Sequence, residues 1–166
     1  MTRAYPKVSL KGIDRSNVRA VIALDVTPEQ RPWVAPNVQS LAEAYANPRA
    51  TALAIYDGDT IVSAPLLRHH PVGFVMYQVW DEVGFVQRLM IAAEHQGRGY
   101  GRAAMVEVIR RLRATPEVSY IGTSVHRDNP AAHALYTSLG FGPAPWPPED
   151  PGDDVYLALD LPAERA

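Results

Sequence analysis

The chain has 166 residues, which suits one compact domain burying roughly two thirds of its unfolded surface and is too short for two ordinary ones, so a single domain over 1–166 is expected. Apolar residues make up 47% and charged residues 20%, and the prolines are dispersed, which excludes disorder and low-complexity classes. The net charge of -2 gives no general pull on nucleic acid or anionic membrane, and the absence of cysteine excludes disulfides, thiolate catalysis and cysteine-based zinc sites, as suits a reducing cytoplasm.

The opening MTRAYPKVSLKGID lacks the apolar core of a signal peptide, and no apolar run approaches the ~20 residues that span a bilayer. A soluble, unprocessed protein is expected. Val8 to Ile13 alternates as a half-buried strand does, and Asp14 is placed to cap a helix with apolar positions Val18, Val21 and Ile22. Thr27 to Pro36, with three prolines, cannot be regular helix; Asn37 then caps a short helix with Leu41, Ala44 and Tyr45 on one side, ended by Asn47-Pro48.

Thr51 to Tyr56 reads as a strand and Asp57-Gly58 as a turn. The irregular IVSAPLLRHH looks inserted before a second strand, Val72 to Val79. Trp80-Asp81-Glu82 turns the chain into Val83 to Ile91, a third strand on which simple alternation puts Phe85, Leu89 and Ile91 on one face.

From Gly99 to Ala114 the set Ala104, Met105, Val108, Ile109 and Leu112 keeps a 3.6 period, with Glu107 four residues before Arg111. Tyr120 to Val125 is a strand. Asn129-Pro130 starts a helix carrying Ala132, Leu135, Tyr136 and Leu139 and closed by Gly140, and Asp154 to Leu161 is a last strand. The alternation argues for an α/β sheet of mixed direction.

The stretch richest in chemistry is Gln96-Gly97-Arg98-Gly99-Tyr100-Gly101-Arg102, between a strand and the first turn of the strongest helix. Glycines let the backbone turn tightly and approach a ligand, and the unpaired N–H groups at a helix start favour phosphate, with Arg98 and Arg102 adding charge. It is not a dinucleotide fingerprint, because counting from Gly97 or Gly99 gives no third glycine, and it lacks the Lys-Ser/Thr of a P-loop. A glycine-rich turn made only for packing explains the loop equally well.

LMIAAEHQGRGYGRA resembles the acyl-CoA loop of the GNAT superfamily of N-acetyltransferases, whose pattern is Arg or Gln, two residues, Gly, one residue, then Gly or Ala; Gln96, Gly99 and Gly101 fill it. The second half of that signature, a strand followed by Asn, a helix bearing Tyr and a closing Gly-Phe, is matched by Ser119 to Val125, Asn129, Tyr136, Gly140 and Phe141. The segments EQRPWVAPNVQSLAEA, VGFVMY and RLMIAAEHQGRGYGRAAMVEVI look most like bacterial diamine and polyamine (spermidine/spermine) acetyltransferases. Ala93, where relatives often carry Pro, and the insertion depart from that pattern.

The resemblance implies a mixed, mostly antiparallel central sheet flanked by helices, an α+β arrangement whose splayed strand pair holds acetyl-CoA. The strand residues Leu89, Met90 and Ile91 would take the pantetheine arm, and the Leu89 amide would face the thioester carbonyl, where such a donor is worth about 3 to 4 kcal/mol. Residues 96–102 and Asn129 would complete the cofactor site, Asn129 also serving as helix cap. Tyr136, which the helical pattern alone would assign to the core, becomes the acid that protonates the departing thiolate.

The acceptor side is read from chemistry as well as from likeness. A free amine is needed for attack, and Glu29, Glu43, Asp81 and Glu82 are the candidate carboxylates for removing its proton through water. Gln87 stands where some relatives carry a catalytic carboxylate and can position substrate but not act as base. Trp33 and Tyr77 are candidates for lining a channel, with Glu29 and Glu43 drawing in a distal ammonium. His69, His70, His95, His126 and His133 share no metal-ligand spacing, so no metal is expected, although His126 can approach the site.

The expected activity is acetyl transfer to a small primary amine through a ternary complex, a polyamine or diamine ahead of an aminoglycoside-like antibiotic, amino acid or protein amine. A non-catalytic acyl-CoA sensor is the alternative from another class, though it would not need Tyr136. No nucleic acid or membrane partner is expected, and a homodimer is, since relatives often are dimers.

Overall fold

The computed structural model describes residues 5–58, 70–146 and 148–162. Residues 61–69 of the expected insertion, with His69, lie outside that range, and His70 is exposed. Seven strands form one sheet: β1 (Val8–Gly12), β2 (Ala50–Asp57), β3 (Gly73–Trp80), β4 (Val83–Ile91), β5 (Tyr120–His126), β6 (Gly142–Pro143) and β7 (Asp154–Asp160). Their order is β1-β2-β3-β4-β5-β7-β6, and every neighbouring pair is antiparallel except β4 with β5. Both the α/β composition and the mostly antiparallel sheet expected from sequence are present; β6, two residues long, leaves no pattern to read.

Two apolar layers sandwich the sheet. Helices α3 (Tyr100–Arg113) and α4 (Pro130–Ser138) cover one face, where Met105, Val108 and Leu112 meet Val75, Val86, Ile121 and Val125. The short α1 (Val18–Ile22) and α2 (Asn37–Ala46) cover the other, over Ala54, Phe74, Met76 and Met90. Six buried positions at helical spacing, Tyr100 and the five expected apolar residues, make α3 the element that propensity and packing agree on. Among the described residues no helix is long and apolar enough to cross a membrane.

Three local expectations fail for identifiable reasons. Asp14 does not cap α1; its carboxylate takes the N–H and hydroxyl of Ser16 in a turn, and the N-cap position falls three residues later, on Asn17. Asn37 does not cap α2 but is its first residue, buried, with Nδ2 donating to Val21 O at 2.8 Å and so fastening α2 to α1. Tyr45 does not share the buried side with Leu41 and Ala44, being 94% exposed, while Ile22 of α1 is also open to solvent.

The β4 face assignment fails most usefully. Val86 pairs with Tyr77 and Arg88 with Met76, so Gln87 is an extra residue in β4 facing none of its own on β3. Such a bulge inverts the alternation beyond it. Val86, Leu89 and Ile91 therefore face α3 and α4, whereas Phe85 lies on the other face, stacked on Trp80.

On the exposed side of α3, Glu107 accepts from Arg110 at 2.7 and 2.8 Å and from Arg111 at 3.0 Å, and Arg111 also donates to Leu10 O. The Arg110 hydrogen bonds, opposed in part by burial and aided by Arg111, pull the carboxyl from 4.5 down to about 2. A depressed carboxyl stabilises the fold above its unfolded value and loses that contribution as pH falls towards the folded one. Glu107→Gln should thus flatten the stability loss between pH 4.5 and 2, by about 1 kcal/mol given the exposure of Arg110, as measured by urea unfolding across that range.

Candidate active site

The parallel pairing of β4 with β5 runs only from Val83–Tyr120 to Val86–Thr123. Beyond it each strand stays bound to its outer neighbour, β4 to β3 and β5 to β7, so the two diverge as a fork. Where the ladder ends, the Thr123 hydroxyl donates to Val86 O at 3.0 Å, which explains a buried threonine at the vertex. The splayed pair expected from the resemblance is therefore present, and it begins at the Gln87 bulge.

A cleft of about 410 Å³ occupies the fork. Gln87, Arg88 and Leu89 of β4 form one wall, Ser124, Val125 and His126 of β5 another, with Asn129, Ala132 and Tyr136 of α4, Asp154 of β7, and the Arg31–Pro36 segment closing around them. Ala92 donates its N–H to Val72 O, so alternation turns Met90 toward β3 and leaves the backbone of Leu89 and Ile91 facing the open side. Those groups can receive an extended chain as an added strand. Met90 was expected to share this role, but its side chain is buried on the α2 face.

The glycine-rich loop follows at the same end of β4. Gly97 and Gly99 have φ of 73 and 93°, and Gly99 is the N-cap of α3. Ala103 is the first residue to donate within the helix, to Gly99 O, so the N–H groups of Tyr100, Gly101 and Arg102 belong to the unpaired first turn. Arg98 is exposed beside them. Three side chains of the motif are committed elsewhere: Tyr100 is buried, its phenol pushed up by burial and by the Asp57 carboxylate; Arg102 donates to Ser138 Oγ at 2.6 Å; Gln96 donates to Ile91 O at 2.9 Å. What the loop leaves uncommitted is its first-turn backbone N–H groups and the exposed Arg98.

Helix α4 places its two expected residues at different depths. Asn129 caps the helix, its side chain accepting the Ala132 N–H at 3.1 Å, and lines the cleft at the same time. Tyr136 is 4% exposed at the floor, edge-on to Phe141, with its hydroxyl beside that of Thr123 at the fork vertex. Burial pushes its phenol up to about 12, the Thr123 hydroxyl acting weakly in the opposite direction. Tyr136 therefore holds its proton throughout the neutral range, and its transfer to a thiolate of ordinary basicity, about 8.5, is not the near-balanced exchange that the unshifted phenol value suggests.

On the acceptor side the structure gathers some expected residues and disperses others. Trp33, at the end of a 3-10 turn over Pro28–Trp33, lies in the cleft and stacks on His126 with ring centroids 6.2 Å apart. Gln87 lines the cleft, and its Oε1 is buried with no partner. Tyr77 instead faces the α3 side core, as its register opposite Val86 requires. Glu29 is exposed at the start of the 3-10 turn, its carboxyl held low by its own backbone N–H and by Thr27. Glu43 is bound by Gln39 and by Arg88 Nη2 at 3.1 Å, and Asp81 and Glu82 form the β3–β4 turn at the closed end of the fork.

Asp154, which sequence reasoning passed over, is the carboxylate that lines the cleft among the described residues. It stands opposite His126 in the β5–β7 register, a pairing of positions 28 apart that no local pattern reveals. Arg31 and Arg88 were missed too; both reach the cleft and both have a carboxylate partner, Asp25 and Glu43. No group of three or more metal-ligating side chains occurs among the described residues.

The profile of the Acetyltransferase (GNAT) family matches residues 18–141. No curated protein matches the chain. Among solved structures, spermidine N-acetyltransferase from Vibrio cholerae in complex with CoA and spermine superposes with a TM-score of 0.70 at 16% identity, covering 93% of this chain and 95% of that one. The ribosomal-protein-S18-alanine N-acetyltransferase from Escherichia coli gives 0.65 at 22% identity, with 92% and 93% covered. The PaiA N-acetyltransferase from Thermoplasma acidophilum, in complex with coenzyme A, gives 0.67 at 12% identity, with 93% and 99% covered.

Proposed function

The chain belongs to the acetyltransferase (GNAT) family, and from that premise we propose that it transfers acetyl to a small primary amine by direct attack within the β4–β5 fork. It is an acyltransferase whose cosubstrate is acetyl-CoA. The observation carrying the proposal is the fork itself: backbone of Leu89 and Ile91 turned to the open side, with the Ile91 carbonyl already accepting from Gln96, a helix N-terminus at one end and the protonated hydroxyl of Tyr136 at the vertex. These groups fit a thioester on an extended phosphorylated arm.

In this reading the Leu89 N–H donates to the thioester oxygen as negative charge develops there. The buried Gln87 Oε1, lacking a partner in the protein, accepts from the incoming amine and aims it. The amine nitrogen bonds to the acetyl carbon as the carbon–sulfur bond breaks, the leaving sulfur takes its proton from Tyr136, and the proton shed by the newly acylated nitrogen restores the phenol. Asp154 accepts the surplus ammonium proton through water, the role first sought among Glu29, Glu43, Asp81 and Glu82. Arg98 and the first-turn N–H groups of α3 hold the pyrophosphate, with Asn129 on the arm between.

The cleft lining supports an acceptor with one cationic centre, because among the described residues Asp154 is the one carboxylate in a lining that also includes Arg31 and Arg88. A polyamine is the second reading, supported by likeness to the Vibrio cholerae enzyme and by Asp154 as anchor. In either case we place the reaction in the cytoplasm, and we take the exposed Val38 and Tyr45 of α2 as support for a homodimer. Thiol release from acetyl-CoA, with acetylated products identified by mass, should be followed with spermidine, spermine, putrescine, an aminoglycoside, free amino acids, an alanine-terminated peptide and a lysine peptide. Turnover of a monoamine at least tenfold above spermidine would support the first reading, and the reverse order the second. Tight acetyl-CoA binding with no turnover of any amine would favour a sensor.

A further inference from the structure

Gln96 has no hydrogen-bonding capacity left over for a phosphate on its Nε2. One Nε2 proton goes to Ile91 O at 2.9 Å and the other to Gln30 Oε1 at 2.8 Å, while its Oε1 accepts from Gln30 Nε2 at 3.1 Å. The two amides form a closed pair across 66 residues of chain. Gln30 in turn receives the Thr27 N–H on Oε1 at 3.3 Å, which anchors the pair to the start of the 3-10 turn. A second tie runs alongside, from Ala93 N–H to Asp25 O at 2.9 Å.

The turn fastened in this way ends in Trp33 and runs into the Arg31–Pro36 wall of the acceptor cleft. Its other attachments are modest: none of its residues is buried, and the Arg31–Asp25 pair is more than half exposed. An exposed ion pair contributes little, so beside the Ala93–Asp25 backbone tie the amide pair is the side-chain link between wall and loop. A ligand that orders the loop therefore orders the wall as well, since less conformational freedom remains to be lost there.

Resting on the assignment of acetyl-CoA to this loop, we infer that Gln30 is a positioning residue that couples acetyl-CoA binding to the acceptor wall, so that the cosubstrate assembles the amine site. Such coupling is reciprocal: an amine that binds the wall tightens acetyl-CoA by the same factor. Gln30 touches neither substrate. Its loss should raise the acceptor KM while leaving CoA affinity intact.

Hydrogen exchange of the bonded amides of Gln30 and Val34, with and without saturating CoA, tests the link without a known acceptor. In the wild type CoA should slow both amides roughly tenfold, within the usual range of couplings. Gln30→Met, close in shape but without the amide, should bind CoA within about threefold of wild type and show no added protection. Gln30→Glu keeps the acceptor, loses the donor and should retain part of the effect, which also covers failure of the methionine variant to fold. Full CoA-dependent protection in Gln30→Met, or none in a wild type that binds CoA, overturns the coupling. A wild type that does not bind CoA overturns the acetyltransferase assignment together with it.

Discussion

Tyr136→Phe should lower kcat by about a hundred- to a thousandfold, a range in which a positioned general acid contributes, while the KM for acetyl-CoA stays within a few-fold. That loss corresponds to about 3 to 4 kcal/mol of transition-state stabilisation. The substitution removes one oxygen from a residue packed against Phe141 and keeps the ring contact, so thermal unfolding should show the variant folded with only a small change in midpoint. The fall in kcat with acetyl-CoA binding retained separates this role from a structural one. Because burial holds the phenol protonated up to about 12, the wild-type rate should show no alkaline fall from Tyr136 well below that value, and the variant should keep the same profile at a lower level. A parallel loss of acetyl-CoA binding would instead make Tyr136 a packing residue.

Gly99→Ala should carry the second large effect, a loss of acetyl-CoA affinity of about ten- to a hundredfold, measured by calorimetry. At φ 93° a residue with a side chain pays about 1 to 2 kcal/mol, and its Cβ would also lie 3.1 Å from both Pro6 and Tyr5. Relief of that strain rotates the N-cap of α3 and with it the first-turn N–H groups. Gly97→Ala offers the comparison, since Gly97 is also left-handed at φ 73° but its added Cβ meets nothing within 4 Å. It should lose markedly less. Equal losses would mean that strain alone matters and that the N-terminal segment does not fix the loop.

What could be read from sequence was what local order dictates. The period of α3, the Asn129-Pro130 start and Gly140 close of α4, and the Asp81-Glu82 turn each rest on residues close along the chain, and each is present. The Gln87 bulge could not be read, because a polar residue inside an alternating strand is also consistent with an unbroken ladder. That single residue decides which face Leu89 presents and where β4 leaves β5. Tyr77 was misplaced for a related reason: its exposure depends on what lies opposite across β4, not on its neighbours in sequence.

The cleft residues divide along the same line. Tyr136 and Asn129 were recoverable because a motif of short span carries them, and Trp33 because prolines mark its segment as irregular. Thr123 had a usable signal, a hydroxyl on the buried phase of β5 between Ile121 and Val125, which in an apolar layer needs a specific acceptor. Asp154 and Arg88 had none, since their places depend on the β5–β7 register and on an ion pair spanning 45 residues. The Gln30–Gln96 pair also hides behind the motif, which suggests a phosphate ligand where the fold has a tie between two loops.

The most direct test of the account is a map of backbone amide shifts in the isotope-labelled wild type as coenzyme A is added. The largest changes should fall on Leu89 and Ile91 along the open edge of β4 and on Gly99, Tyr100, Gly101 and Arg102 at the start of α3, with β1 and β2 nearly unmoved. Saturable binding whose shifts lie elsewhere and leave Leu89 and Ile91 untouched would contradict the fork as the place where acetyl-CoA is held.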